Sequence, residues 1–321
     1  MEIGNDLSAS VFSRRVFGSL VTADLELVGF APRPIGANSP SDIRIVRGSA
    51  EPPSATRPLV AGDWPLVERH GHRLCMWFPG ELVARASRDG LVEYWQLRPL
   101  DRETFSYDLL DAVAPRVLAF AGRHVLHGGS VAGSEGAVVF LGVSGAGKST
   151  LTAALARHGY DLIGDDVAAL TPSARQQFNV EPALASIRLR EDSAAAVLGS
   201  EIAMAPKMAD WSAKRVVAAR DNRLEVVTGP IPLQSVVLLA EHEAAPTLDA
   251  VTGAEAFMLL REHSFDPPTA GPTAGIDLLD RWGPVADSCK FWRLRRHKSF
   301  ESLPDIVNVL QPLIGSPLRT K

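Results

Sequence analysis

The sequence predicts an α/β protein: a mixed-sheet domain preceded by a smaller, mostly β domain. Three observations carry that expectation. Prolines crowd the first hundred residues. Apolar residues recur at helical spacing from Phe105 to Phe120. A continuous apolar run, Ala137–Leu141, leads through a glycine-rich turn into a second helical stretch. The expected domains are 1–102 and 103–321.

In the first of these, short apolar runs at Val11–Phe12, Leu25–Phe30 and Ile43–Val46 alternate with Pro32, Pro34, Pro40, Pro52, Pro53, Pro58 and Pro65. Long helices do not survive that proline density, because each proline removes a donor and clashes with the preceding turn. Leu74–Phe78 and Leu91–Leu97 read as strands, the second with Leu91, Tyr94 and Trp95 as its bulk. Phe105, Leu109, Leu110, Val113, Val117, Leu118 and Phe120 then form a helix, interrupted at Pro115 and stopped at Gly122. It is expected to open the second domain.

Further on, Val125–His127 and Ser130–Ala132 read as strands, and Gly133-Ser134-Glu135-Gly136 as a hairpin turn into Ala137–Leu141. Thr150–His158 is a helix closed by Gly159, and Leu162–Ile163 a short strand. Asp192–Leu198 and Gly253–Glu262 follow as helices, with Val226–Val227, Ser235–Ala240 and Lys290–Arg296 as strands. Asp266–Gly275 reads as a loop, and Leu303–Leu313 as an amphipathic terminal helix.

The 321 residues are 46% hydrophobic and 22% charged with net charge −4, which fits a globular chain and argues against a nucleic-acid binder. No apolar run approaches the ~18 residues of a membrane helix, so no membrane association is expected. Ser13-Arg14-Arg15-Val16-Phe17 superficially resembles a twin-arginine export signal. Its apolar stretch is cut short by Asp24 and Glu26, so an early strand pair is the better reading. Cys75 and Cys289 belong to no C-x-x-C pair, which points to free thiols and a cytoplasmic setting.

The chemistry concentrates after Ala137–Leu141. Gly142-Val143-Ser144-Gly145-Ala146-Gly147-Lys148-Ser149 fits the phosphate-binding loop G-x-x-x-x-G-K-[ST]. Such a loop turns its backbone N–H groups inward around phosphate oxygens, and its glycines permit the dihedrals and the close approach. Ser144, Gly145, Ala146, Gly147, Lys148, Ser149 and Thr150 are therefore expected to hold a nucleoside triphosphate. Lys148 would place its charge at the β- and γ-phosphates, and Ser149 its hydroxyl on Mg²⁺. Asp165-Asp166 ends the next short strand. An acid pair there suits a metal ligand and a base for an acceptor hydroxyl, two duties that Asp165 and Asp166 could divide. A helix cap or solvated turn is the plain alternative. His127, followed by two glycines, could orient the acid pair.

With these residues in view, the run Leu126-His127-Gly128, Gly142–Ser149 and Leu162-Ile163-Gly164-Asp165-Asp166 resembles the catalytic domain of bacterial HPr kinase/phosphorylase and its relatives. That family shares its architecture with phosphoenolpyruvate carboxykinase, so the resemblance implies a carboxykinase-like sheet around the loop. The likeness continues more weakly through Glu181–Arg190, Ala213-Lys214-Arg215 and Pro232–Leu239. It implies catalytic roles for His127, Lys148, Asp165 and Asp166: Asp165 as the base for the acceptor hydroxyl, and Asp166 assisting at the metal with Ser149 or orienting His127, with ATP and Mg²⁺ as cofactors and a protein or peptide serine as acceptor. The stretch around Ser186–Asp192 lacks the glycine-rich segment tied to phosphorolysis, so kinase activity alone is implied. The first hundred residues differ from the family's regulatory domain. The chain looks like the divergent HPr-kinase-like branch, some members of which phosphorylate a serine of ribosomal peptides such as lasso precursors, so the implied acceptor need not be HPr.

Arg188, Arg190, Lys214 and Arg215 could offset charge on a transferring phosphoryl group. Arg293, Arg295, Arg296 and Lys298 form a denser basic patch beside Trp292, read as an exposed strand face able to dock an acidic peptide. Three functions stay open: a serine kinase, a small-molecule kinase or NTPase, and a nucleotide sensor without turnover. A homo-oligomer is compatible with each.

Overall fold

The computed structural model describes residues 12–27, 41–60, 64–174, 177–204, 213–242, 245–267 and 274–318. Val11, 28–30, Pro32, Pro34 and Pro40, and most of the 266–275 loop reading, lie outside them. The chain divides into two compact units, Met1–Ala121 and Gly122–Lys321. The helical stretch at 105–120, expected to open the second domain, falls in the first unit. There, Tyr94 packs edge-on against Phe105 with ring centroids 5.3 Å apart.

The first unit is a seven-stranded sheet. Its strands are β1 (Phe12–Val16), β2 (Ser19–Ala23), β3 (Ile43–Arg47), β4 (Leu66–His70), β5 (Arg73–Phe78), β6 (Leu82–Ser87) and β7 (Leu91–Gln96), in the order β1-β2-β3-β7-β6-β5-β4. β3 runs parallel to both β2 and β7, and the other pairs are antiparallel. β5 buries both faces, which is why its sequence does not alternate. Cys75 and Trp77 join Leu66, Val83 and Trp95 in a cluster against which Ala55 packs. The proline-rich segment supplies carbonyl acceptors there: the Trp77 indole donates to Pro53 at 2.8 Å and the Trp95 indole to Ala50 at 2.6 Å. Gly90 is required between β6 and β7, since it has φ 87° and a Cβ would come within 1.9 Å of the Asp42 carbonyl oxygen. Helices α1 (Arg102–Tyr107) and α2 (Ala114–Phe120) flank a π turn at Asp108–Val113 in one unbroken helical run, and Pro115 follows directly on that π turn.

The second unit is a nine-stranded mixed sheet with helices on both faces. It contains β8 (His124–Leu126), β9 (Gly129–Gly133), β10 (Gly136–Leu141), α3 (Lys148–Arg157), β11 (Asp161–Gly164), β12 (Ala168–Pro172) and β13 (Phe178–Val180). Then come β14 (Ser186–Arg190), α4 (Glu191–Leu198), β15 (Lys214–Ala218), β16 (Ile231–Glu241), β17 (Thr247–Val251), α5 (Ala254–Glu262), α6 (Ala274–Ser288), β18 (Lys290–Arg296) and α7 (Leu303–Ile314). β10, β16 and β18 lie side by side and parallel, while the remaining pairs are antiparallel.

β10 is buried along its whole length. Val138 and Phe140 face one way, into a cluster with Leu151 and Leu155 of α3 and Ile306, Leu310 and Ile314 of α7. Val139 and Leu141 face the other way, with Leu260 of α5 and Trp282 of α6. Each such fully buried side chain contributes about 1.5–3 kcal/mol. The hairpin turn lies where expected, at Ser134-Glu135. Among the described residues β14 and β15 pair only with each other, and this two-stranded sheet seats Ile187, Leu189 and Val217 on Ala153 and Ala156 of α3.

Two sequence readings are corrected. Val226–Val227 is no strand, for Val226 makes a single bridge to Leu162. Ala274 and Gly275 begin α6 rather than ending a loop. Gly283 and Pro284 disguise that helix, but complete burial of Trp282 and Val285 holds it, and Asp266 accepts the Trp282 indole N–H at 2.7 Å. Tertiary burial overrides propensity here. Among the described residues no helix is long and apolar enough to cross a membrane.

Candidate functional site

The glycine-rich loop leaves the carboxyl end of β10 and enters α3. Gly142, Gly145 and Gly147 have φ of 153°, 81° and 90°. No side chain caps α3, so the first N–H groups of the helix are free to meet an anion. Ser144 and Gly145 are exposed at the tip, whereas Ala146, Lys148 and Ser149 are buried and Gly147 and Thr150 are half-buried. The Lys148 ammonium donates to the Gly142 carbonyl at 2.7 Å, spanning its own loop. Burial lowers its pKa, and Asp166 and Asp165 oppose that shift.

Asp165 and Asp166 follow β11, which pairs with β9. In an extended strand consecutive side chains point to opposite faces. Asp166 instead adopts a left-handed conformation, φ 63°, which Asp tolerates better than most residues. Both carboxylates thereby reach the same residue of β14. Asp165 Oδ2 accepts from the Arg188 backbone N–H at 2.9 Å, and Asp166 Oδ2 accepts from Arg188 Nε at 2.8 Å and from its terminal nitrogen.

The two environments push the acids apart. Asp165 is pushed up to about 7 by burial and by the Asp166 carboxylate. Burial acts on Asp166 in the same direction, but Arg188, Lys214 and His127 outweigh it and hold Asp166 well below the usual carboxylate range. A pair divided in this way has one member suited to proton transfer and one suited to permanent charge.

His127 sits beside the pair. Its Nδ1 lies 2.9 Å from the Asp166 carbonyl oxygen. A carbonyl can only accept, so Nδ1 carries the proton and fixes the tautomer. Nε2 stands 3.9 Å from Asp166 Oδ1. Burial holds the ring below the usual imidazole range against the pull of Asp166, although 40% of the side chain remains accessible. The Asp166 carbonyl also accepts from the Gly128 N–H at 3.2 Å, so one peptide group ties 127–128 to the acid pair.

Of the four cations named as able to offset phosphoryl charge, Arg188 and Lys214 lie beside the acid pair. Lys214 Nζ donates to Ser149 Oγ at 3.3 Å. Arg190 and Arg215 are not brought to the pair: Arg190 is exposed, and Arg215 pairs with Glu191 at 2.6 Å. Arg215 stands opposite Leu189, on the other face from Lys214, whereas Arg190 shares the face of Lys214 but lies exposed at the end of β14.

The basic patch on β18 is also corrected. Arg293 pairs with Glu255, Arg295 with Asp249 at 2.6 Å, and Lys298 with Glu241 at 3.1 Å. Arg296 is buried, and its guanidinium donates to the Ala146 carbonyl of the loop. Sequence reading missed this residue as part of the site. The available signal was its place at the carboxyl end of a strand parallel to β16 and, through it, to β10, where open α/β sheets gather their ligand residues. Arg296→Met keeps the apolar stem but removes the donor. It is expected to raise hydrogen-exchange rates of the 142–149 amides about tenfold, the worth of one such bond, as read by mass spectrometry. Unchanged exchange would show that the loop holds itself.

The donor set suits the implied Mg²⁺, which prefers oxygen ligands and few protein groups. Ser149 Oγ and the Asp166 carboxylate would hold it. Among the described residues no cluster of three or more His, Cys, Asp or Glu side chains is arranged to bind a metal by itself.

No family model matches the sequence, and no curated protein matches it. A solved structure does show a likeness. The Hpr(Ser) kinase/phosphatase from Coxiella burnetii is similar at 12% identity and a TM-score of 0.35, over 59% of this chain and 94% of that one.

Proposed function

We propose that the chain is an ATP-dependent kinase that transfers the γ-phosphoryl group to a serine hydroxyl of a protein or ribosomal peptide. One observation supports this most. A phosphate-binding loop with a buried lysine stands on the same unit as two adjacent aspartates whose protonation is driven in opposite directions. Nucleotide binding alone needs no carboxyl tuned near neutrality, whereas accepting a hydroxyl proton does.

In this reading the loop amides and Lys148 hold the β- and γ-phosphates. Bound Mg²⁺ would offset phosphate charge, with Ser149 and Asp166 as its protein ligands. Asp165 takes the proton of the attacking hydroxyl. His127, held by the Asp166 carbonyl, and Arg188 keep the pair in place. Lys214 offsets charge on the transferring group. The resemblance to the divergent HPr-kinase-like branch makes a lasso precursor peptide one acceptor to try.

The test is incubation with γ-labelled ATP, Mg²⁺ and candidate acceptors, followed by phosphoamino-acid analysis. Phosphoserine on a protein or peptide is the expected result. Label found only on a metabolite or as free phosphate would replace this reading with a small-molecule kinase or NTPase. Nucleotide binding without any turnover would replace it with a sensor.

A further inference from the structure

Thr152 lies one turn beyond Lys148 on α3, so the two share a helix face. A threonine inside a helix ordinarily returns its hydroxyl to the carbonyl four residues back. Thr152 does not: its side chain is fully buried, and Oγ1 makes no hydrogen bond. It points over Gly129 of β9. A Cβ built on Gly129 would lie 2.2 Å from Thr152 Oγ1 and 3.5 Å from Asp165 Oδ1. Asp165 Oδ1 is itself buried and makes no hydrogen bond, although Oδ2 is engaged by β14. Two buried polar atoms thus converge on the space that Gly129 leaves open, each lacking what the other supplies. A hydroxyl can donate, and a carboxylate oxygen can only accept.

We propose that Thr152 is a positioning residue for Asp165, its hydroxyl donating to Oδ1, directly or across one water, over the space left by Gly129. The carboxylate is then gripped at both oxygens, by the β14 backbone on Oδ2 and by α3 on Oδ1. Because α3 also carries Lys148 and Ser149, the element that holds phosphate and the base that faces the acceptor become parts of one rigid unit. This inference rests on the kinase reading above only for its catalytic consequence.

The experiment compares full-length wild type, Thr152→Val, Thr152→Ser and Asp165→Asn. Infrared spectra in D₂O read the carboxylate stretch, with Asp165→Asn identifying the Asp165 component. Turnover of γ-labelled ATP with Mg²⁺ gives kcat and KM. Thr152→Val preserves shape, so it is expected to fold, with its melting temperature checked. The expected result is a shifted Asp165 band, kcat lowered about tenfold, as for one lost hydrogen bond, KM for Mg·ATP within about twofold, and recovery of most of the loss in Thr152→Ser. A purely structural threonine predicts otherwise: replacing an unpaired buried hydroxyl by methyl would stabilise the fold and leave band and kcat unchanged. That outcome overturns the proposal. If wild type turns over no ATP, the kinase reading fails, and the infrared band alone decides the contact.

Discussion

Asp165→Asn is expected to lower phosphoryl transfer about 10³-fold, the middle of the range for a positioned general base, while Mg·ATP affinity stays near wild type. Asparagine keeps the shape and can still accept from the Arg188 backbone, so the loss would report proton transfer rather than packing. The pH dependence follows from the raised pKa of about 7. The base acts in its ionised form, so wild-type turnover should rise between pH 6 and 8 as Asp165 loses its proton, and the variant should lack that rise. Stability has the opposite sign. A carboxyl whose folded pKa lies above its unfolded value stabilises the fold below the unfolded value, and that contribution is lost as pH rises through the folded one. Above pH 7 the native state carries a buried charge that asparagine removes. Asp165→Asn should therefore melt higher than wild type at pH 8, with the gap closing toward pH 5, as scanning calorimetry would show. A variant that turns over normally, or that gains no stability at pH 8, would remove Asp165 from the role of base.

Lys148→Ala is expected to lower kcat/KM for ATP by about 10³-fold, as for loss of one preorganised charge at a developing anion. The lysine is buried and its ammonium rests on the Gly142 carbonyl. Alanine therefore removes both the charge that meets phosphate and a tie across the loop. The separable readout is equilibrium binding of a non-hydrolysable ATP analogue by calorimetry. A loss confined to turnover would mean that Lys148 acts in the transition state alone, while loss in both would mean that it also anchors the ground state. Retained turnover would show that the loop does not serve as a phosphate site.

Local features of the site were legible in the sequence because they are encoded at short range. The loop spacing, the strand before it and the helix after it each follow from neighbours along the chain. The acid pair and His127 stood out by position relative to that loop. What distinguishes Asp165 from Asp166 was not legible, because it depends on a left-handed residue and on an arginine from another sheet. Arg215 could not be separated from Lys214 without the register of β14 on β15, nor Arg190 without knowing that it lies exposed at the end of β14. Arg296 looked like surface because its neighbours Arg293 and Arg295 are. Strand topology, which is not written locally, brings it under the loop. In the fold, β10 and β16 declared themselves by apolar runs. β12, β13 and β17 are too short or too polar, and α6 is hidden behind Pro284.

The separateness of the β14–β15 ribbon has an evolutionary consequence. It shares no backbone ladder with the nine-stranded sheet and keeps its own apolar cluster on α3. Substitutions on the face of the ribbon that carries Arg188 and Lys214 could alter the cations over the acid pair without touching the strands that lead into the glycine-rich loop. Descendants of such a chain can diversify in the charge around the acid pair while inheriting β10 and the loop that follows it.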